Sequence, residues 1–146
     1  MTFERTSTQY ATFEWRYDSD GNVWVQAQAH GALTAKTPYL VINNEFGQIT
    51  SVQSDCTIYC LVGVPPAAAA SAAIDWLQIG GYCASMITPA LTVSVGHALS
   101  MYDGVVTDVA ADYTGASAEF AVNVTLTAGG TTCNAMLVPR YILTTT

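Results

Sequence analysis

The run from Cys56 to Ile74, CTIYCLVGVPPAAAASAAI, carries no charged side chain and is about 19 residues long, roughly the length that spans a bilayer. Pro65 and Pro66 stand in its middle. Inside a helix each would remove a hydrogen bond and clash with the turn before it, at about 3 kcal/mol or more. The half before the prolines is β-branched and aromatic, which favours a strand. The half after them is nearly all alanine, a strong helix former that is only weakly apolar. Pro66 suits a first helical position, so PAAAASAA can form a two-turn helix or a compact turn. The run therefore reads as a strand, a proline stop and a short Ala-rich helical connector, not as a membrane span. Alanine has no long side chain to immobilise, so the connector can pack closely against a neighbouring strand or subunit.

Strand signals dominate elsewhere. In FEWRYDSDGNVWVQAQA, Phe13, Trp15 and Tyr17 alternate with Glu14 and Arg16, a period-two pattern with three aromatics on one face. Asp20-Gly21 supplies positive-φ turn positions, and NVWVQAQA returns as a second strand, so a hairpin is expected. DSDGN also resembles a calcium loop, but the glutamate that an EF-hand places at its twelfth position is missing. PYLVINNEFGQITSVQ gives two β-rich stretches around Asn43-Asn44 and Gly47, and CTIYCLVGV gives another. AIDWLQIGG, YCASMITP, LTVSVG, ALSMYDGVVTDV, AEFAVNVTLTAGG and NAMLVPRYIL follow, each bounded by Gly, Pro or Asp. Spacing of about ten residues per strand predicts an all-β fold, a small antiparallel barrel or sandwich. Residues 1–9 read as an extended arm and 10–146 as one barrel-like domain.

Composition narrows the function. Only 10% of the 146 residues are charged, and Arg5, Arg16, Lys36 and Arg140 are the only basic ones, for a net charge of -7. So few cations cannot neutralise a row of phosphates or hold an anionic membrane surface, and neither nucleic acid nor membrane is expected as a partner. Thr, Ser, Gln, Asn and Ala stand where a lone soluble protein usually places Lys and Glu. Protein–protein interface cores lose charge in the same way, so much of this surface is expected to be covered by other proteins. MTFERTSTQYATFEW has Glu4, Arg5 and Glu14 where a secretory leader needs apolar residues. Synthesis in a reducing cytoplasm is therefore expected, with the four cysteines as free thiols.

No residue pattern builds a convincing active site. Cys56 and Cys60, four positions apart on an extended strand, are separated by roughly 13 Å, too far to share a zinc or form a disulfide. Cys83 and Cys133 have no near companions and read as buried structural thiols; a Cys60–Cys83 bridge is open only to an oxidising setting. His30 and His97 each adjoin a glycine, as turn or strand-end histidines do, and no nucleophile motif accompanies them. Asp18, Asp20, Asp55, Asp75, Asp103, Asp108 and Asp112 fall mostly at turns. Ala128–Gly130, AGG, reads as a hairpin loop because no lysine or helix follows it. No enzyme, metal or cofactor is expected.

The order GVPPAAAASAAIDWLQIGGYCASMI, then VSVGHALSMYDGVVTDV, resembles the head decoration, or capsid cement, proteins of tailed bacteriophages. The residues that carry the likeness are Trp76, Leu77, Gln78, Gly80, Gly96, Ala98, Leu99, Asp103 and Gly104, with Met136 to Leu143 as a closing strand. The resemblance spans about Val62 to Leu143. It implies a β-barrel or β-tulip fold without cofactors, bound to the outside of an icosahedral shell. The implied partners are the major capsid protein and further copies of the chain, as a trimer or dimer. Candidate partner-contacting residues are Thr2, Phe3, Arg5, Thr6 and Tyr10 on the arm, with Trp76 and Gln78 on the barrel. Another virion part (tail, collar or spike), a carbohydrate-binding module that stacks sugars on Trp15, Trp24 or Trp76, and a small hydrolase using a Cys or an Asp pair are the competing readings.

Overall fold

A computed structural model describes residues 14–42, 48–50, 60–102, 105–108, 119–125 and 127–139. Among these residues ten strands carry the fold: β1 (Trp15–Tyr17), β2 (Val23–Ala29), β3 (Tyr39–Ile42), β4 (Gln48–Thr50), β5 (Cys60–Gly63), β6 (Ile74–Val93), β7 (Ala98–Tyr102), β8 (Val105–Asp108), β9 (Glu119–Asn123) and β10 (Thr127–Leu137). They pair in the order β5-β3-β4-β2-β6-β10-β9-β7-β8, with β1 added to β2. The fold is all-β, as the strand spacing predicts. One pair departs from the antiparallel expectation, because β4 runs parallel to β2.

The first half curls into a small barrel. β5 continues to Val64, which bonds back to β6: its N–H donates to the Gln78 carbonyl at 2.8 Å and its carbonyl accepts from Gln78 N–H at 2.9 Å. That bridge joins the two ends of the run β5-β3-β4-β2-β6. Period-two alternation then fills the interior with Val23, Val25, Ala27 and Ala29 from β2, Tyr39 and Val41 from β3, Leu61 from β5, and Leu77 and Ile79 from β6. Tyr39 keeps its hydroxyl satisfied by accepting from Thr34 N–H at 2.8 Å.

The alternate residues of β3 and β5 are apolar too. Leu40, Val62 and Val64 turn away from the barrel and meet Cys83, Met86, Val93, Leu99, Phe120, Cys133 and Leu137 of the other strands in a second core. Strands buried on both faces lose the polar half of their alternation, which is why YLVI and CLVG read as unbroken apolar runs.

Three expectations are corrected. The segments AIDWLQIGG, YCASMITP and LTV are one 20-residue strand, β6, not three. Its glycines and proline mark bends: Gly81 has φ 89, Ser85 has φ 55, and Pro89 lies between the pairs Ile87↔Thr132 and Leu91↔Gly130, where the register shifts. For the same reason Ala128–Gly130 is no loop. It lies inside β10 as an irregularity opposite Leu91 and Thr92, with Gly129 at φ 65.

The Ala-rich connector is a compact turn rather than a helix. Leu33 and Ala69 exchange backbone bonds at 2.8 and 3.1 Å, Ala29 N–H donates to Ala73, and Ala72 N–H donates to Ala29. Partners across the fold outbid the intrinsic helix propensity of alanine. The closing strand ends at Leu137, with Val138 and Pro139 beyond it, and residues 140–143 of the expected Met136–Leu143 run lie outside the described residues, as do residues 51–59 and the arm.

Gly81 and Gly96 both hold positive φ, but only Gly81 is crowded: a Cβ there collides with the side chain of Asn22, whereas one at Gly96 meets nothing within 4 Å. Gly96→Ala is expected to lose about 1–2 kcal/mol from left-handed strain alone. Gly81→Ala adds overpacking and should lose about 2–4 kcal/mol. Urea unfolding of the two variants checks this, and equal losses would refute the close approach at Gly81.

Candidate interaction surfaces

The β1–β2 turn is organised by one carboxylate. Asp18 Oδ1 accepts from Asp20 N–H at 2.8 Å and Asn22 N–H at 2.9 Å, and its Oδ2 accepts from Asn22 Nδ2 and Trp24 Nε1, both at 2.9 Å. Gly21, at φ 81, lets the chain reverse. Desolvation pushes the Asp18 carboxyl up, but the bonds from Asn22, Trp24 and Asp20 outweigh it and hold it below the ordinary aspartate range. With its lone pairs committed to these donors, Asp18 serves the turn, which agrees with reading DSDGN as a turn rather than a calcium loop. No group of three or more metal-binding side chains occurs among the described residues.

Trp76 and Gln78, two of the candidate contact residues, are buried on the barrel wall beside this turn. The Arg16 guanidinium lies over the Trp76 ring, 5.1 Å from its centroid, and is itself steadied by Glu14 at 3.0 Å. Gln78 Nε2 lies within bonding distance of Asn22 Oδ1 (3.3 Å), the Gly80 carbonyl (3.2 Å) and the Tyr82 carbonyl (3.0 Å). Gln78 so placed braces the bend of β6, and both Trp76 and Gln78 are covered in this structure. Thr2, Phe3, Arg5, Thr6 and Tyr10 lie outside the described residues.

The tryptophans do not form one platform. Trp76 is covered, Trp24 is half-buried with its N–H on Asp18, and Trp15 is exposed at the edge of β1.

The histidines stand at strand ends, as their glycine neighbours predict. His30 follows β2 and is exposed, and its carbonyl accepts from Ser71 Oγ. His97 precedes β7, with Nδ1 3.1 Å from Asp108 Oδ2, which ties the β6–β7 turn to the end of β8. Among the described residues neither is hydrogen-bonded to a cysteine: Cys83 and Cys133 are free, buried thiols of the second core. Burial, and then the neighbouring Cys83, pushes the Cys133 thiol up to about 11. Burial raises Cys83 as well, partly offset by Lys36.

Sequence reasoning missed a different surface. Tyr82 on β6 pairs with Met136 on β10, which pairs with Val122 on β9. Cross-strand partners share a face, and this is the face opposite Cys83 and Ala135, so an apolar row crosses the outside of the second sheet. Tyr82 is 50% and Met136 42% exposed. Only strand register brings these distant positions together.

Two outcomes test these assignments. Because the folded Asp18 carboxyl is held low, its stabilisation is present above the unfolded aspartate value and is lost as pH falls through the folded one. Asp18→Ala should therefore lower Tm at pH 7 and converge with the parent chain at pH 2. In the folded chain at pH 7.5, Cys83 and Cys133 should resist alkylation and react only on unfolding, as read by peptide mass spectrometry.

Comparison with known proteins places the fold. No family model matches the chain, and no curated sequence does. Among solved structures, the chain is similar to the N base of the head fiber gp8.5 in bacteriophage phi29, with a TM-score of 0.52 and 12% identity, over 80% of this chain and 94% of that one. At that identity the likeness is one of fold.

Proposed function

We propose that the chain is a non-enzymatic structural protein of a virion that binds the outside of an icosahedral phage head and stabilises it as a decoration, or cement, protein. The observation that carries the reading is the fold shared with the base of a phage head fiber, matched over nearly all of that base. The charge-poor exterior and the sequence resemblance to head decoration proteins support it independently. A ligand that binds only the closed lattice stabilises that lattice by mass action, by about 2.7 kcal/mol per site at 100 times its Kd. The major capsid protein is the proposed partner, and residues 1–9 are the proposed arm that reaches across it, losing some affinity to ordering entropy on docking.

A second virion reading follows from the same likeness: the domain is the base of a projecting head, tail or collar appendage, and attaches the structure it carries. Labelled particles viewed by electron microscopy separate the two, a uniform coat marking cement and isolated points marking an appendage. The central experiment mixes purified chain with intact shells lacking it. Co-sedimentation and a raised shell melting temperature are expected. A chain absent from purified particles and indifferent to shells would overturn the proposal.

A further inference from the structure

We infer that the outer face of the second sheet, centred on Tyr82 and Met136, is where one copy of this chain meets another. The proposal rests on the structural-protein reading and deepens it, by assigning a surface to the self-association that the resemblance to decoration proteins implies.

The row Tyr82–Met136–Val122 continues along the β6–β10 ribbon to Ile87 and Thr132, which pair with each other, Ile87 being 37% exposed. Between the two rows, Ser85 N–H donates to Asn134 Oδ1 at 2.9 Å, which ties β6 to β10 where the register shifts. Exposed apolar residues clustered on one face, rather than scattered singly, mark a contact surface.

Charge selects the occupant. The chain has a formal net charge of -7, so two copies repel unless they meet where no charge stands. From Trp76 to Tyr102, and again from Thr127 to Pro139, the sequence contains no Asp, Glu, Lys or Arg. The described charged residues lie elsewhere, on the β1–β2 hairpin, at Lys36 and Asp75, and at Asp108 and Glu119. Lys36 approaches the ribbon through its backbone, its carbonyl accepting from Ile87 N–H at 2.8 Å, and places one cation near it. A strongly charged partner would find no counter-charge on these strands. A second copy finds apolar and uncharged hydrogen-bonding groups that match its own, as a self-complementary contact requires.

The test uses the full chain. A photoreactive benzoylphenylalanine at position 82 should yield covalent copies of the chain on irradiation in free solution. Sedimentation equilibrium should show an oligomer. Tyr82→Lys with Met136→Lys should weaken it by at least about tenfold while the circular dichroism of the fold is unchanged. A parent chain that sediments as a monomer, a lysine variant that is folded and associates as tightly as the parent, or cross-links formed only to shell protein would each overturn the proposal. Should the lysine variant not fold, the cross-link decides alone. Self-association at this face in a chain that ignores shells would leave this inference standing and remove the capsid reading; shell binding by a chain that never cross-links to itself would do the reverse.

Discussion

A strand with alternating side chains can serve two cores only if its backbone changes direction where they meet. β6 makes that change at Gly80 and Gly81, and the rest of the fold depends on it. Before the bend, Leu77 and Ile79 fill the barrel; after it, Cys83 and Met86 fill the second core. A Cβ at Gly80 would crowd Val23, and one at Gly81 would strike Asn22, so both glycines are required by approach as well as by φ at Gly81. Gln78 then fastens the inside of the bend to carbonyls on its far side. Without that corner, β10 would have no strand to continue the barrel into the second sheet.

The same device recurs at the other end of β6. Asn123 is fully buried, its side-chain nitrogen reaches the carbonyls of Val93 and Ser94, and its backbone exchanges bonds with Gly96 and His97. Each corner of the long strand is thus held by an uncharged amide. Fixing corners with buried ions would carry a desolvation penalty of several kcal/mol per ion. An amide bonded to carbonyls contributes a net 0.5–1.5 kcal/mol or so per bond, and even Asn123 Oδ1, buried with no hydrogen-bond partner, costs only about 1–3 kcal/mol to desolvate, less than an ion would. The low ionic content of the chain is therefore a property of its interior corners as well as of its surface.

How much of this was legible depends on how far apart the cooperating residues stand. The hairpin was readable because WRY, DSDGN and VWVQAQA carry alternation and turn chemistry within one window. The pairing of β7 with β8 was readable only from the Asp103-Gly104 position that the resemblance marks, since ALSMYDGVVTDV by itself reads as one stretch. β6 was not: Gly80, Gly81 and Pro89 look like boundaries, and only a partner strand that tolerates bulges turns them into bends. The connector failed for a related reason, because the backbone partners of Ala69, Ala72 and Ala73 lie near residues 29–33. At the candidate surface, Trp76 and Gln78 stood out as a motif, yet period two places them on the packed wall. Tyr82 and Met136 looked unremarkable alone and acquire meaning only through register.

A fold likeness at 12% identity shows how few positions this architecture needs, and it also means that any site must come from this chain's own residues. For a protein that acts by contact, the relevant chemistry is the loss incurred when surface side chains are immobilised. Lys, Glu and Arg forfeit roughly 1.5–2 kcal/mol of rotamer freedom each, whereas Ala forfeits none and short or stiff side chains forfeit less. The outer face of β6 and β10 is built from Ser, Thr, Ala, Asn and Ile, with Tyr82 and Met136 as its large apolar groups. Apart from Met136, which forfeits about as much as Lys, such a face binds with little ordering penalty per residue. Under the proposed capsid role, that small saving, repeated at every contact with a lattice, would raise occupancy of the shell, which is what a stabilising coat requires.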